Sequence, residues 1–340
     1  MKGKQISRTL IKVILPFSLG IILLWHLYRN QDISEMMHII RKGVRYDIIL
    51  FSLIFGLMGN IIRGLRWGML IDSLGKRVRR KNVIYAVLGN YAINLALPRI
   101  GEIWRCGVTS KYEKVPFTKL LGTLFVDRIM DVFVVGLLTL SLSLLNIRFF
   151  RNFFAENPPV FIDTMCRLLT SVWPYLCLTL VVLIGWFVLT RMIHLSLVQK
   201  MIGLINNMFE GVKSLWRIKY KFRFILETLL IWICYFLHFY ITFFAFGFTQ
   251  DLGFRIALIA FTMSALGVAV PVQGGIGVWH FMVMTTLIAF GVDKNDAGAF
   301  AMVVFTIQTV WVALVGLFSI FALPIINKDD KKAENFDDDV

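Results

Sequence analysis

NYAINLALPRIGEIWR, residues 90–105, begins as an apolar segment suited to a helix and then breaks at Pro98 and Gly101. Proline lacks the N–H that a helix interior needs, and glycine weakens the helix further. Arg99, Glu102 and Arg105 stand where a membrane-spanning helix should continue. An acidic side chain at a bilayer centre costs about 2.5–3.5 kcal/mol on the insertion scale. A merely structural span would not keep such residues, so the stretch reads as a polar site set inside a membrane protein.

Working outward, the 340 residues are 58% hydrophobic, with 30 Phe, nine Trp and a mean hydropathy of +0.73, far more apolar than a soluble chain of this length. Several apolar runs reach the roughly 20 residues that a transmembrane helix needs. The fold class expected is therefore an all-α polytopic membrane protein. A net charge of +15 on a soluble protein would suggest nucleic acid. Here Lys and Arg cluster between the apolar runs, so nucleic acid is not an expected partner. The charge is better read as topology, with some attraction to anionic lipid. Cys106, Cys166, Cys177 and Cys234 form no CxxC and read as small apolar residues. No cofactor and no metal are expected.

Six full spans are expected near residues 10–27, 46–67, 120–145, 171–190, 224–248 and 299–323. Two interrupted segments read as re-entrant or broken helical hairpins. One joins the apolar run 83–97 to the polar region 98–119. The other joins 254–270 to 278–290 across Pro271, Gly274, Gly275 and Gly277. The basic run KRVRRK at 76–81, the basic N-terminal residues and the basic stretch 191–223 mark one side as cytoplasmic. Both termini then lie inside and the hairpins open toward opposite faces. Residues 29–42 read as a short charged loop, 146–170 as a polar loop, and 191–223 as a region with an interfacial amphipathic helix. The whole reads as a single transmembrane domain, residues 1–326, ahead of a disordered polar tail at 327–340.

Residues 96–103, ALPRIGEI, line up without a gap on 269–276, AVPVQGGI, matching alanine, proline, glycine and isoleucine. Each stretch lies in a similar place within its half, about 6–146 and 171–323, and the halves start on opposite sides. That is the pattern of an inverted repeat, in which paired Gly/Pro-interrupted segments point to a transport site near the midplane.

Charged residues recur at helical spacing. Glu102 and Arg105 share a face, as do Asp127 and Asp131, with Arg128 beside them. Arg63 and Arg66, in RGLRW, either snorkel to the interface beside Trp67 or aim into the protein. Taken together the set leans positive. It is either a salt-bridge lock between helices or a cavity for a charged headgroup, and surplus arginine suits phosphate. The bare backbone of Gly274–Gly277 is either an anion-binding helix start or a tight turn. His280 is a satisfied interior histidine or a protonatable partner of the site. No GxxxxGK[ST], HExxH or GxSxG is present, so no internal ATP motor or hydrolase signature is seen.

RGLRW at 63–67, N-x-x-x-P-x-x-x-E-x-x-R at Asn94, Pro98, Glu102 and Arg105, D-R-x-x-D at Asp127, Arg128 and Asp131, and P-x-x-GG-I-G from Pro271 to Gly277 together resemble the lysylphosphatidylglycerol synthase transmembrane-region family, also called flippase-like domain proteins. The resemblance covers about residues 6–323. It implies a bacterial inner-membrane protein. In the best-known member type this module moves an aminoacylated phospholipid across the bilayer. That type also carries an aminoacyl-transferase domain, which has no counterpart here, so lysyl-lipid synthesis is not implied. Many members carry an acidic residue where this chain has His280, so a headgroup that depends on that acid is not implied either. The function expected is a lipid translocase, flippase- or scramblase-like, for an anionic phospholipid or glycolipid. Its binding residues would be drawn from Arg63, Arg66, Asn94, Arg99, Glu102, Arg105, Asp127, Arg128, Asp131, Gly274, Gly275, Gly277 and His280. The alternatives are a membrane enzyme of envelope glycolipid modification with Asp127 or Glu102 as base, and an accessory subunit of an envelope-biosynthesis enzyme.

Overall fold

The computed structural model describes residues 25, 28–29, 32–97, 99–156, 196–269 and 272–328. The expected span at 171–190, nearly all of that at 10–27, and the breakers Pro98 and Pro271 lie outside them. Among the described residues the chain is helical almost throughout. In order come α1 (Ile33–Lys42), α2 (Tyr46–Asp72), α3 (Arg80–Ala96), α4 (Ile100–Glu113), α5 (Phe117–Leu145), α6 (Ile147–Glu156), α7 (Ser196–Arg217), α8 (Lys221–Phe243), α9 (Gly253–Ala269), α10 (Val278–Ala289) and α11 (Lys294–Ile326). Five helical stretches are long and apolar enough to cross a membrane: Tyr46–Asp72, Phe117–Leu145, Lys221–Phe243, Gln250–Val268 and Lys294–Ile326. Val278–Ala289 is apolar but shorter. The protein is a multi-pass α-helical membrane protein. Large side chains such as Val132, Phe133, Leu144, Phe318 and Phe321 stand exposed on α5 and α11, as a lipid-facing surface requires.

The helices extend past the apolar runs. Residues 33–42, expected as loop, form α1, because Asp32 caps it by accepting from the Ser34 and Glu35 amides at 2.8 and 3.1 Å. The polar region 98–119 is largely helix α4, and the loop expected from Asn146 begins as α6. Asn327, expected in the tail, is buried and exchanges two 2.9 Å amide hydrogen bonds with Asn82.

Two copies of one pattern follow from the order. A long helix, a hairpin of two short helices and a second long helix appear as α2, α3–α4, α5 and again as α8, α9–α10, α11. Packing repeats as well. α11 lies on α3 as α5 lies on α9, and α1 lies on α11 as α7 lies on α5. The equivalent helices α2 and α8 run antiparallel. At one end Arg45 N–H donates to Ala245 O at 2.9 Å and Val44 bridges Phe246, so the start of α2 meets the end of α8. Toward the other end Arg66 reaches Thr228, near the start of α8. The repeat is therefore inverted.

The first leg of each hairpin ends on the aligned alanine, Ala96 in α3 and Ala269 in α9. Beyond it the halves differ. α4 starts at Ile100, while α10 waits until Val278, after a 3-10 turn at Gln273–Gly275 with Gly274, Gly275 and Gly277 at positive φ. The two tips meet, since a Cβ on Gly274 would lie 3.1 Å from Leu95 at the end of α3.

The core divides toward the two ends. Phe239, Phe243, Phe246, Trp279 and Phe300 fill the end where α2 starts, and Trp67, Leu70, Val83, Leu120 and Phe224 fill the end where it finishes. At this second end lie Lys76, Arg77, Arg79, Arg80 and Lys81, with Arg217, Lys219 and Lys221. Ser73 donates to Ser214 O there at 2.9 Å. The opposite end carries Asp32, Glu35, Asp293 and Asp296, where Asn295 ties α11 to Asp32 and Glu35.

Candidate functional site

Three helices deliver one chain of alternating charges. α2 presents Arg63, Arg66 and Trp67 on one face, α4 presents Glu102 and Arg105, and α5 presents Asp127, Arg128 and Asp131. Arg105 Nη2 meets Asp127 Oδ2 at 3.1 Å, and Asp127 Oδ1 takes Arg66 Nη2 at 2.6 Å. The same nitrogen reaches Asp131 Oδ1 at 2.9 Å, and Asp131 Oδ2 accepts from Arg63. Arg128 closes the sequence, 3.4 Å from Asp131 and 2.8 Å from Glu102. Arg66, Arg105 and Asp127 are fully buried, whereas the Arg128 and Glu102 side chains are 33% and 28% exposed. Among the described residues the chain is thus sealed at Arg66, Arg105 and Asp127 and open at Arg128 and Glu102.

Burying these charges costs several kcal/mol per ion, and only close pairing offsets it. The surroundings add further support. The Arg105 guanidinium lies 3.9 Å from the centre of the Trp67 ring, a cation–π contact, and the Trp67 indole N–H donates to Thr123 Oγ1 at 3.1 Å. Arg66 Nη1 donates to Thr228 Oγ1 at 3.3 Å. Arg63 Nε donates to Tyr235 OH at 3.1 Å, and that hydroxyl donates to Asn60 Oδ1 at 2.7 Å. Both RGLRW arginines therefore aim into the protein, not toward the interface.

Asn94 works on the backbone. Its Oδ1 accepts from the Gly101 amide at 2.9 Å and so supplies an acceptor to the first turn of α4. Gly101 itself has no room for a side chain, because a Cβ there would strike the Asn90 carbonyl oxygen and come within 2.8 Å of Asn94 Oδ1. Arg99 precedes α4 in a left-handed conformation, φ 64°, and is exposed, with no ion pair among the described residues. The structure places it outside the charge chain.

The second hairpin is not part of the charge chain either. Gly274, Gly275 and Gly277 shape the tip that meets Leu95, and a Cβ on Gly275 would lie 3.6 Å from Val268. His280 is buried among aromatic rings. Its ring centre lies 4.5 Å from that of Phe305, 5.6 Å from that of Trp279 and 6.1 Å from that of Tyr28. Its Nδ1 has no hydrogen-bond partner among the described residues. His238 pairs its Nδ1 with Ser52 O at 2.8 Å.

Sequence reasoning missed Tyr235, Asn60 and Thr228. Each is an uncharged residue on a largely apolar helix, and only the partner helix gives it a role.

The charge count is uneven. Arg63, Arg66, Arg105 and Arg128 face Glu102, Asp127 and Asp131, four cations against three anions. Moreover Arg105 Nε and Nη1 and Arg66 Nε are buried without a hydrogen-bond partner among the described residues.

The chain is thus an all-α membrane protein that holds two hairpins tip to tip beside a buried arginine–carboxylate chain. The lysylphosphatidylglycerol synthase TM region matches residues 13–316, and the chain belongs to that family. A protein of Methanocaldococcus jannaschii, described as a UPF0104 membrane protein, is 26% identical over 139 residues, 40% of each chain. The match thus spans well under half of that relative's length. No solved structure matches the chain.

Proposed function

We propose that this protein is a lipid translocase, flippase- or scramblase-like, that passes an anionic phospholipid or glycolipid along the buried charge chain. The observation that carries the reading is the surplus cation together with the unpaired N–H groups of Arg66 and Arg105. Leaving such donors unsatisfied in a low-dielectric interior costs free energy, and a phosphate offers acceptors for several of them at once. Arginine holds its charge at any physiological pH and presents a planar fork of donors.

The geometry supports a route of entry. Arg128 and Glu102 form the half-exposed mouth. A phosphate arriving there answers the surplus cation, and the Glu102 carboxylate it displaces from Arg128 is exposed enough to turn to water. The second half touches the chain through α8, whose Thr228 and Tyr235 accept from Arg66 and Arg63, which supports a site that both inverted halves can reach. In this reading the protein sits in a bacterial plasma membrane with the basic end, residues 76–81 and 217–221, on the cytoplasmic side; the Asn327–Asn82 pair supports the end of α11 lying at that same end.

The test is reconstitution into vesicles containing a fluorescent phosphatidylglycerol, with a membrane-impermeant reductant that bleaches only the outer leaflet. Protein-dependent bleaching of the inner pool is expected, and Arg105→Ala or Glu102→Ala should abolish it in protein that still purifies as a folded species. No movement of any anionic or glycan-bearing lipid contradicts the proposal.

A further inference from the structure

An open groove of about 430 Å³ runs between α2, α3 and α11, lined by Leu57, Ile61, Ile84, Leu88, Val315 and Phe318. That volume falls within the roughly 300–1,000 Å³ typical of ligand sites. A small space of about 10 Å³ shares Leu57, Leu88, Trp311 and Val315 with the groove and adds Asn60 and Tyr91. It is about large enough for one oxygen-sized group. Trp311 lines both spaces, and its buried indole N–H has no acceptor among the described residues. From Asn60 a polar link continues through the Tyr235 hydroxyl to Arg63, the near end of the charge chain. Asn60 and Arg63 are three residues apart on α2, about 4.5 Å along its axis.

We infer that this groove holds one acyl chain of a membrane glycerophospholipid, with its ester carbonyl accepting from Trp311 and its phosphate placed toward Arg63. The inference rests on the charge chain being the headgroup site. The groove alone would suit any apolar occupant. What selects a lipid is the sequence of chemistries along it: a long apolar trough, then an unpaired donor that wants a neutral acceptor, then cations one helical turn further. A packed helix from this or another protein satisfies the trough but leaves the indole N–H and the surplus charge unanswered.

The experiment uses the full chain in phosphatidylglycerol vesicles doped with a phosphatidylglycerol that carries a diazirine on one acyl chain, followed by mass spectrometry of the cross-linked peptides. Ile84, Tyr85, Leu314 and Phe318 should be labelled above the lipid-facing residues 133–144 of α5. Trp311→Phe, which keeps the ring and removes the N–H, should lower the groove signal about three- to tenfold. Leu88→Trp, which fills the trough, should remove it. Labelling no higher than on α5, or unchanged in Trp311→Phe, overturns the inference. Running the leaflet-exchange assay on the same vesicles separates the two claims. Lipid movement without groove labelling discards the groove and keeps the translocase. Groove labelling sensitive to Trp311→Phe without movement does the reverse.

Discussion

Asp127 holds the site together. Its two oxygens are divided between Arg66 and Arg105, and all three side chains are buried. Asp127→Ala would leave two cations facing each other without their shared anion, and removing one partner of a buried pair costs about 3–5 kcal/mol. The expected outcome is a large fall in the melting temperature of detergent-solubilised protein. Glu102→Gln is the contrast. Its pair with Arg128 is partly exposed, so the stability change should stay below about 1 kcal/mol while leaflet exchange is impaired. Equal destabilisation by both would argue for a uniform structural lock without a mouth. The sequence showed that Glu102, Arg105, Asp127 and Asp131 must find partners, because unpaired charge in an apolar run is too costly. It did not show where Arg63 and Arg66 go, since arginines near a helix end look the same whether they snorkel or turn inward. Asn60, Thr228 and Tyr235 were invisible because an uncharged side chain on an apolar helix gives no sign of which partner it meets.

At the scale of the element, the two hairpins were legible from their breakers, but their construction was not. The repeat matched Gly101 with Gly274, yet Gly101 sits inside the first turn of α4 and Gly274 in an open turn with φ 59°. The difference comes from Asn94, whose side chain meets the Gly101 amide and lets the helix restart at once. Gly101→Ala forces a methyl group against the Asn90 carbonyl and should cost about 1–3 kcal/mol, as overpacking does. Asn94→Ala removes the acceptor alone and should cost about 0.5–2 kcal/mol, the range for lost caps. Thermal unfolding of both variants checks the order, and a Gly101→Ala protein as stable as the parent would contradict the close approach. Helix ends were also misjudged, because hydropathy falls off before the hydrogen-bond ladder does. α2 runs on to Asp72, and α4 forms despite its charges.

At the scale of the whole molecule, charge distribution and the short repeat together anticipated two inverted halves, and packing supplied what they could not, the antiparallel pairing of α2 with α8. Cysteines placed at Val44 and Phe246 should form a disulfide on mild oxidation, since these residues bridge directly. The central claim is that both hairpin tips meet inside the bilayer next to enclosed charge. Its most direct measurement is the rate at which single cysteines react with a bulky, impermeant maleimide added from either side of sealed vesicles. The positions are Ile103 and Ile276 at the two hairpins, with Lys81 and Asp251 as controls for the two ends. The account predicts that each control reacts from one side only, the two from opposite sides, and that both hairpin positions react slowly from either. Hairpin cysteines that react as fast as Lys81 and from its side would contradict it.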